Sequence, residues 1–207
     1  MSKLTRSIAL ILFISFWISY SFSFGQGNSY YELLMRERNE KDYEFVNSVD
    51  SPLTQYDKEN FKGLNYFDAD PNFVINAKIE KSLQRDTIKM KTTTERLPLY
   101  IIYGTATFSL SGKNHHLTIF QNVGLMKNEE YKDYLFIPFT DETSGEDSYG
   151  GGRYIDARIT SEDTIMIDFN RAYNPYCVYN NKYSCPIPPS ENHLDIKITA
   201  GEKSFLK

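Results

Sequence analysis

The chain lacks the basic excess that marks nucleic-acid-binding proteins. Its 207 residues include 23 Lys and Arg against 27 Asp and Glu, and the basic residues form no long run. A surface that binds phosphates needs a basic excess, so nucleic acid is not expected as a partner. Internal repeats, low-complexity tracts and interdomain linkers are also absent. With 41% apolar and 24% charged residues, the composition is that of a globular protein rather than a disordered, fibrous or multi-span membrane protein.

Two common catalytic signatures are missing as well. No serine stands in the G-x-S-x-G pattern of a nucleophile elbow. The glycine run 150–152 resembles a phosphate loop, but such a loop needs a helix after it, and the residues that follow favour a strand. We therefore interpret these glycines as a hairpin turn, and no motif indicates a cofactor.

Residues 1–25 have the layout of a secretory signal peptide. Lys3 and Arg6 precede an uncharged, mostly apolar stretch from Ile8 to Phe24, and Gly25 supplies a small residue where the stretch ends. An uncleaved membrane anchor stays open as the alternative, because about 17 residues is the low end of a bilayer span. Cleavage would leave 182 residues with 21 basic and 27 acidic side chains. We expect an exported protein, periplasmic or secreted, with no membrane span after removal of the leader.

Residues 26–64 are predicted to form an N-terminal helical segment. Apolar side chains at helical spacing, including Leu34 and Phe45, predict an amphipathic helix over 30–48 that ends before Pro52. A shorter helix should follow, with Thr54 as its N-cap and Gly63 at its C-terminal end.

Residues 65–207 are predicted to form a β domain of about eight strands. The candidate strands cover 73–79, 87–91, 100–110, 116–121, 134–139, 153–159, 164–169 and 194–199. The gaps between them hold no obvious helix, so the connections should be antiparallel. The fold class is therefore mainly β (α+β), an antiparallel β-barrel or two-layer sandwich, with the N-terminal helix covering an open end or edge.

Ionisable and amide side chains concentrate at strand ends and loops of the C-terminal half. The candidate site residues are Asp141, Thr143, Tyr149, Arg153, Asp168, Asn170, Arg171, Tyr173, Asn174 and Glu202. Charges at buried strand ends must find partners, so these residues should meet in space. They could form a structural polar network or a site where arginine grips a small polar or anionic ligand. A third interpretation is a hydrolase that uses the carboxylates of Asp141, Asp168 or Glu202. A fourth is a non-catalytic interaction protein of the cell envelope.

The same region resembles a known family. The residues Phe139-x-Asp141-x-Thr143-x-Gly145, Gly152-Arg153-Tyr154, Asp168-Phe169-Asn170-x-Ala172-Tyr173-Asn174-Pro175 and Cys185-Pro186-x-Pro188-Pro189 are similar to the signature of DUF1684 (domain of unknown function 1684). Ser148 replaces the more usual Thr, and His193 stands where the family has Arg or another polar residue, which argues against His193 as an essential ligand. The resemblance implies no activity.

Two cysteines lie eight positions apart in a proline-rich loop. In an exported chain, Cys177 and Cys185 are most simply interpreted as a disulfide. By closing a short loop, such a disulfide would stabilise the folded protein by about 2.5 kcal/mol. The alternatives are two free thiols, or a zinc or copper site completed by His115, His116 or His193. The spacing matches no standard zinc knuckle, so we expect no metal.

Overall fold

The computed structural model describes residues 29–205. The predicted signal peptide, residues 1–25, lies outside this range, so its assignment stays a prediction. By its internal contacts the chain falls into two compact units, of which the first ends at Tyr43 and the second begins at Glu44.

Two helices precede the strands, as expected from the sequence. The first, α1, is helical over 29–47, and Leu34 and Phe45 are buried, whereas Tyr31 and Val46 are exposed. The second, α2, spans Gln55–Asn60, and the Thr54 hydroxyl caps it by accepting the Asp57 amide at 3.1 Å. Within residues 29–205, no helix combines the length and the apolar character needed to cross a bilayer.

Eight strands form one mainly antiparallel sheet, which confirms the expected fold class. They are β1 Val74–Lys81, β2 Thr87–Lys89, β3 Leu99–Leu110, β4 Lys113–Asn122, β5 Tyr134–Asp141, β6 Arg153–Arg158, β7 Thr164–Asp168 and β8 His193–Leu194. The main order is β6-β5-β4-β3-β1-β7, with β2 paired to β3 and β8 paired to β5. The sheet curls into a half-barrel.

Both faces of the sheet carry apolar side chains, because successive strand residues point in opposite directions. Leu135, Ile137 and Phe139 of β5 belong to the main core on the inner face of the curl. Phe136, which alternates with them, packs with Tyr100, Phe120, Met90 and Tyr154 in a second cluster. We call this second cluster, together with Tyr134 and Tyr173 packed against it, the outer aromatic face.

The last strand is shorter than expected and runs parallel to its neighbour. A strand was predicted over 194–199, but β8 ends at Leu194 and pairs in parallel with the end of β5. Beyond it one backbone bond to the residue after β5 remains, from the Glu142 amide to the Ile196 carbonyl at 3.0 Å, and at Ile198 the backbone bonds to side chains instead. The Ile198 amide donates to Asp141 at 2.8 Å, and the Ile198 carbonyl accepts from Arg153 at 2.9 Å. Side chains from β5 and β6 have therefore taken the place of a β ladder.

Asn192 holds β4 and β5 together where their own pairing is short. Phe120 and Phe136 are the only paired positions in their register. The fully buried Asn192 amide accepts the Thr118 N–H at 2.7 Å and donates to the carbonyls of Thr118 at 2.9 Å and Pro138 at 2.7 Å. One side chain thus satisfies backbone groups of both strands.

We predict that Asn192→Ala destabilises the protein by about 2–4 kcal/mol, because three buried backbone groups lose their partner. Chemical denaturation would measure the change in the free energy of unfolding. Asn114→Ala, at an exposed position of β4, is the control and should change stability by less than about 0.5 kcal/mol. Equal effects of the two substitutions would contradict this role for Asn192.

Candidate functional site

Arg153 is the centre of a buried polar network where β5 ends and β6 begins. Its side chain is fully buried, and its Nη2 donates to Asp141 Oδ1 at 3.0 Å and to the Ile198 carbonyl. Its Nη1 donates to the carbonyls of Ala200 and Glu202. Burial lowers the pKa of Arg153, and the negative charges of Asp141 and Glu202 oppose that shift.

The second oxygen of Asp141 organises the turn after β5. Asp141 Oδ2 accepts the amide of Thr143 at 3.1 Å, the Thr143 hydroxyl at 2.8 Å and the amide of Ile198. The Ser148 hydroxyl lies 2.8 Å from that of Thr143. Because the Thr143 hydroxyl donates to Asp141, it accepts from Ser148. A hydroxyl at position 148 is enough for this contact.

A glycine with positive φ precedes each of two charged residues of this region. Gly152, before Arg153, has φ +87°, and a Cβ there would lie 2.4 Å from the Phe139 carbonyl oxygen. Gly201, before Glu202, has φ +78°, and a Cβ would lie 2.6 Å from the Ala172 carbonyl oxygen. Any side chain at these positions would push apart the segments that the charged residues join.

Glu202 closes the same network from the C-terminal segment. Its side chain is buried, and Oε2 accepts the Asn174 amide at 2.8 Å and the Tyr179 hydroxyl at 2.9 Å. The Asn174 side chain donates to the Lys203 carbonyl at 2.8 Å. Burial, and then the charge of Glu202, raises the pKa of Tyr179, so its phenol stays protonated and donates.

Asp168, Asn170 and Arg171 form a second cluster, at the end of β7. Arg171 pairs with Asp168, whose other oxygen accepts the Asn170 amide at 3.0 Å. The Asn170 side chain accepts the Asp70 amide at 2.9 Å and donates to the Asp70 carbonyl at 2.8 Å. This cluster holds the loop before β1 against the end of β7.

Tyr173 lies on the outer aromatic face rather than in either buried cluster. Its hydroxyl donates to Asp156 Oδ1 at 2.7 Å, and the hydroxyl of Tyr134 donates to the same oxygen at 2.6 Å. The Tyr173 ring meets that of Tyr154 edge to face at 5.7 Å, and Tyr154 meets Phe136 in the same way at 4.8 Å. Asp156 is exposed on this face.

Tyr149 belongs to a fourth group, with the two cysteines. Both cysteines are present as thiols, and the Cys177 amide lies 3.2 Å from Cys185 Sγ. The hydroxyls of Thr93 and Tyr149, after the thiol of Cys185, help to lower the pKa of Cys177. The predicted disulfide between the two residues stays a prediction.

The histidines lie away from the cysteines. Within residues 29–205, the one group of three side chains with metal-type ligand atoms close together is Glu142, His193 and Asp195. His193 Nε2 is 3.4 Å from Glu142 and 3.6 Å from Asp195, and all three side chains are exposed. Since solvated ion pairs of this kind are common, we assign no metal to them.

Eight of the ten candidate residues therefore lie in two buried groups, and the other two lie elsewhere. Asp141, Thr143, Arg153, Asn174 and Glu202 converge on one buried network, and Asp168, Asn170 and Arg171 form a neighbouring one. Tyr149 and Tyr173 lie apart, in the thiol group and on the outer aromatic face.

Sequence reasoning missed three residues that complete these two groups: Asp156, Tyr134 and Thr93. The signal for Asp156 was present, because it stands two positions after Tyr154 in a strand and so shares its face. Thr93 lies in a loop and had no such signal.

Taken together, the fold and these contacts define a curled antiparallel half-barrel whose C-terminal segments are locked by a buried ion pair. The family described as "Protein of unknown function (DUF1684)" matches residues 59–203. The chain belongs to this family.

A solved structure supports the same relationship. It is the solution NMR structure of an uncharacterized protein from Haloarcula marismortui, 34% identical to this chain, with a TM-score of 0.66. The alignment covers 86% of this chain and 96% of the other. No curated protein matches the sequence.

We predict that Arg153→Ala destabilises the protein by about 3–5 kcal/mol, because it leaves Asp141 as a buried charge without its counterion. Thermal and chemical denaturation would measure the loss. The control is Arg158→Ala, which removes an arginine–aspartate pair of similar length, 2.7 Å to Asp133, from a half-exposed position. Its effect should be small, since solvent screens such pairs. A small effect at position 153 would show that the network is not needed for folding.

Proposed function

We propose that this protein is an exported binding domain that holds a small polar ligand on its outer aromatic face, at Asp156. The ligand class is one that donates hydrogen bonds, such as a polyol, a sugar or an organic ammonium ion. The observation that carries the proposal is the convergence of two tyrosine hydroxyls on a single oxygen of an exposed carboxylate.

The two phenols hold the Asp156 carboxylate in one orientation. Both donate to Oδ1, and among the described residues none donates to Oδ2. The second oxygen is therefore available to accept from a ligand. A fixed carboxylate that does not have to reorganise binds donors at a lower entropic cost.

The protonation state of the tyrosines suits this role. Burial, and then the negative charge of Asp156, raises the pKa of Tyr134 and that of Tyr173. Both phenols stay protonated at neutral pH and remain donors to Asp156. A carboxylate acceptor at this place favours donors and cations over anions.

The surroundings supply apolar contact as well. Half-buried Tyr134 and Tyr173 flank the carboxylate, and the rings of Tyr154 and Phe136 continue the apolar surface beneath. Sites for small ligands commonly combine apolar, aromatic surface with a few oriented polar groups. Aromatic rings also bind the apolar faces of sugars and the methyl groups of ammonium ions.

The buried arginine network is not the proposed ligand site. Arg153 has no exposed surface, and its Nη atoms are bonded to Asp141 and to three carbonyls. Arg153 could bind an anion only if those hydrogen bonds broke. The carboxylates of Asp141, Asp168 and Glu202 are likewise buried and already accept protein donors, so no contact favours the hydrolase alternative.

We predict that Asp156→Asn weakens binding of such a ligand by roughly tenfold or more, because a hydrogen bond to a charged acceptor is lost. NMR titration of the folded protein with glucose, myo-inositol, choline and inorganic phosphate would measure it. At least one of the first three should shift the amide signals of Tyr134, Asp156 and Tyr173.

The matched control is Asp163→Asn, the same chemical change at an exposed residue in the turn before β7. It should leave the titration unchanged. Shifts caused by phosphate alone, or equal effects of the two substitutions, would overturn the proposal. A titration without shifts for any of the four probes would do the same.

A further inference from the structure

The two cysteines of the proline-rich loop are in direct contact, although they lie eight positions apart along the chain. The amide of Cys177 donates to Cys185 Sγ at 3.2 Å, which places the two cysteines side by side. A bond between them would therefore need little movement of the backbone.

The two cysteines differ in exposure. Cys177 is half-exposed, whereas Cys185 is buried, with 6% of its surface exposed. A reagent in solution can therefore reach the first sulfur and not the second. This asymmetry is what a pair consisting of an attacking and a resolving thiol requires.

Three neighbouring groups favour the charged form of the Cys177 sulfur: the thiol of Cys185 and the hydroxyls of Thr93 and Tyr149. Hydrogen bonds to the charged form favour it. The contact with Cys185, followed by those with Thr93 and Tyr149, lowers the pKa of Cys177 to about 6 against the opposing effect of burial. The same thiol contact, followed by burial, raises the pKa of Cys185.

The groups around Cys177 are held in place by other contacts. The Cys185 amide donates to the Thr93 hydroxyl oxygen at 3.1 Å, and the Thr93 amide donates to the Cys185 carbonyl at 2.9 Å. The Tyr149 ring lies across Gly151, where a Cβ would come within 2.5 Å of the ring. The arrangement is thus built into the loop and does not depend on solvated side chains.

We propose that Cys177 and Cys185 are a redox-active pair that exchanges with small disulfides and thiols, Cys177 acting as the nucleophile and Cys185 as the resolving thiol. The Cys177 thiolate attacks one sulfur of a disulfide R–S–S–R, forming a mixed disulfide and releasing RS⁻. Cys185 then transfers its proton to a released thiolate and attacks the Cys177 sulfur, displacing the second RS⁻, which takes a proton from water. Overall, one protein dithiol and one R–S–S–R give one protein disulfide and two R–SH. The proton that Cys177 lost to solvent is balanced by the proton that the second RS⁻ takes from water.

The stabilised thiolate distinguishes this pair from a permanent structural disulfide in how easily the disulfide is reduced. Donors that stabilise the reduced form make the disulfide easier to reduce, whereas structural disulfides resist reduction by thiols such as glutathione. The proposal is independent of ligand binding at Asp156, because it involves neither that carboxylate nor its two tyrosines.

The first test uses the full, unaltered protein. It is equilibrated in buffers of increasing ratio of reduced to oxidised glutathione, quenched with acid, alkylated and weighed by mass spectrometry. We expect the pair to convert fully between dithiol and disulfide within the accessible range of ratios while the protein stays folded. A disulfide that persists in a large excess of reduced glutathione would overturn the proposal.

The second test assigns the roles. Cys185→Ser, which keeps a hydroxyl donor next to Cys177, should accumulate a mixed disulfide with glutathione, whereas Cys177→Ser should react many times more slowly. In Cys185→Ser, the rate of alkylation by iodoacetamide should reach half its maximum below the ordinary cysteine value, because the interactions with Thr93 and Tyr149 that lower the pKa of Cys177 remain. A midpoint at the ordinary cysteine value of about 8.5 would overturn the nucleophile assignment.

Tyr149→Phe, introduced into the Cys185→Ser protein, tests the hydroxyl donor. It should move the alkylation midpoint upward and slow the reaction at about pH 6 severalfold, since less thiolate is present. Tyr176→Phe in the same background is the matched control, because Tyr176 adjoins Cys177 in sequence but does not bond to its sulfur. Identical midpoints in the two variants would show that Tyr149 does not stabilise the thiolate.

Discussion

The C-terminal part of this protein depends on one buried ion pair, between Arg153 at the start of β6 and Asp141 at the end of β5. Burying two charges costs several kcal/mol unless their remaining donors and acceptors are also satisfied. Here the chain satisfies most of them with its own backbone: the carbonyls of Ile198, Ala200 and Glu202 face the guanidinium, and the Ile198 amide faces the carboxylate. Among the described residues, Arg153 Nε has no partner. The ion pair therefore dictates the path of the segment after β8 and ends that strand early.

Hydrogen bonds from buried side chains to backbone groups also join segments elsewhere in the fold. Asn192 bonds to backbone groups of β4 and β5, and Asn170 bonds to both backbone groups of Asp70. A strongly curled sheet cannot keep every ladder intact, and side-chain amides satisfy the groups that curvature separates. Rigid loops are the result. They hold the outer aromatic face and the thiol pair in fixed geometry, which is the condition under which a few polar groups act selectively on a ligand or a reagent.

Much of the fold followed from periodicity, because strand and turn patterns are local. Alternation predicted eight strands, and Thr54 was recognised as an N-cap from its position alone. The path of 195–199 could not be predicted in this way: its alternating pattern favours a strand, and only the distant Arg153 and Asp141 direct its backbone groups elsewhere. For the site, the chemistry of Asp and Arg predicted that they would pair. Which arginine pairs with which carboxylate, and that Arg153 would be sealed from solvent, depends on distances that no linear spacing encodes.

The sequence by itself determined the class of fold, the family and the set of polar residues that must find partners, since apolar alternation, turn residues and the cost of burying charge are properties of short segments and single side chains. Only the tertiary structure decided where those residues lie: five in one buried network, three in another, and Tyr173 beside Asp156 on the opposite face of the sheet. It also brought Thr93 and Tyr149 to the sulfur of Cys177. The physical reason is that burial and hydrogen-bond geometry arise from segments distant in the chain, and these meet only when the sheet has curled.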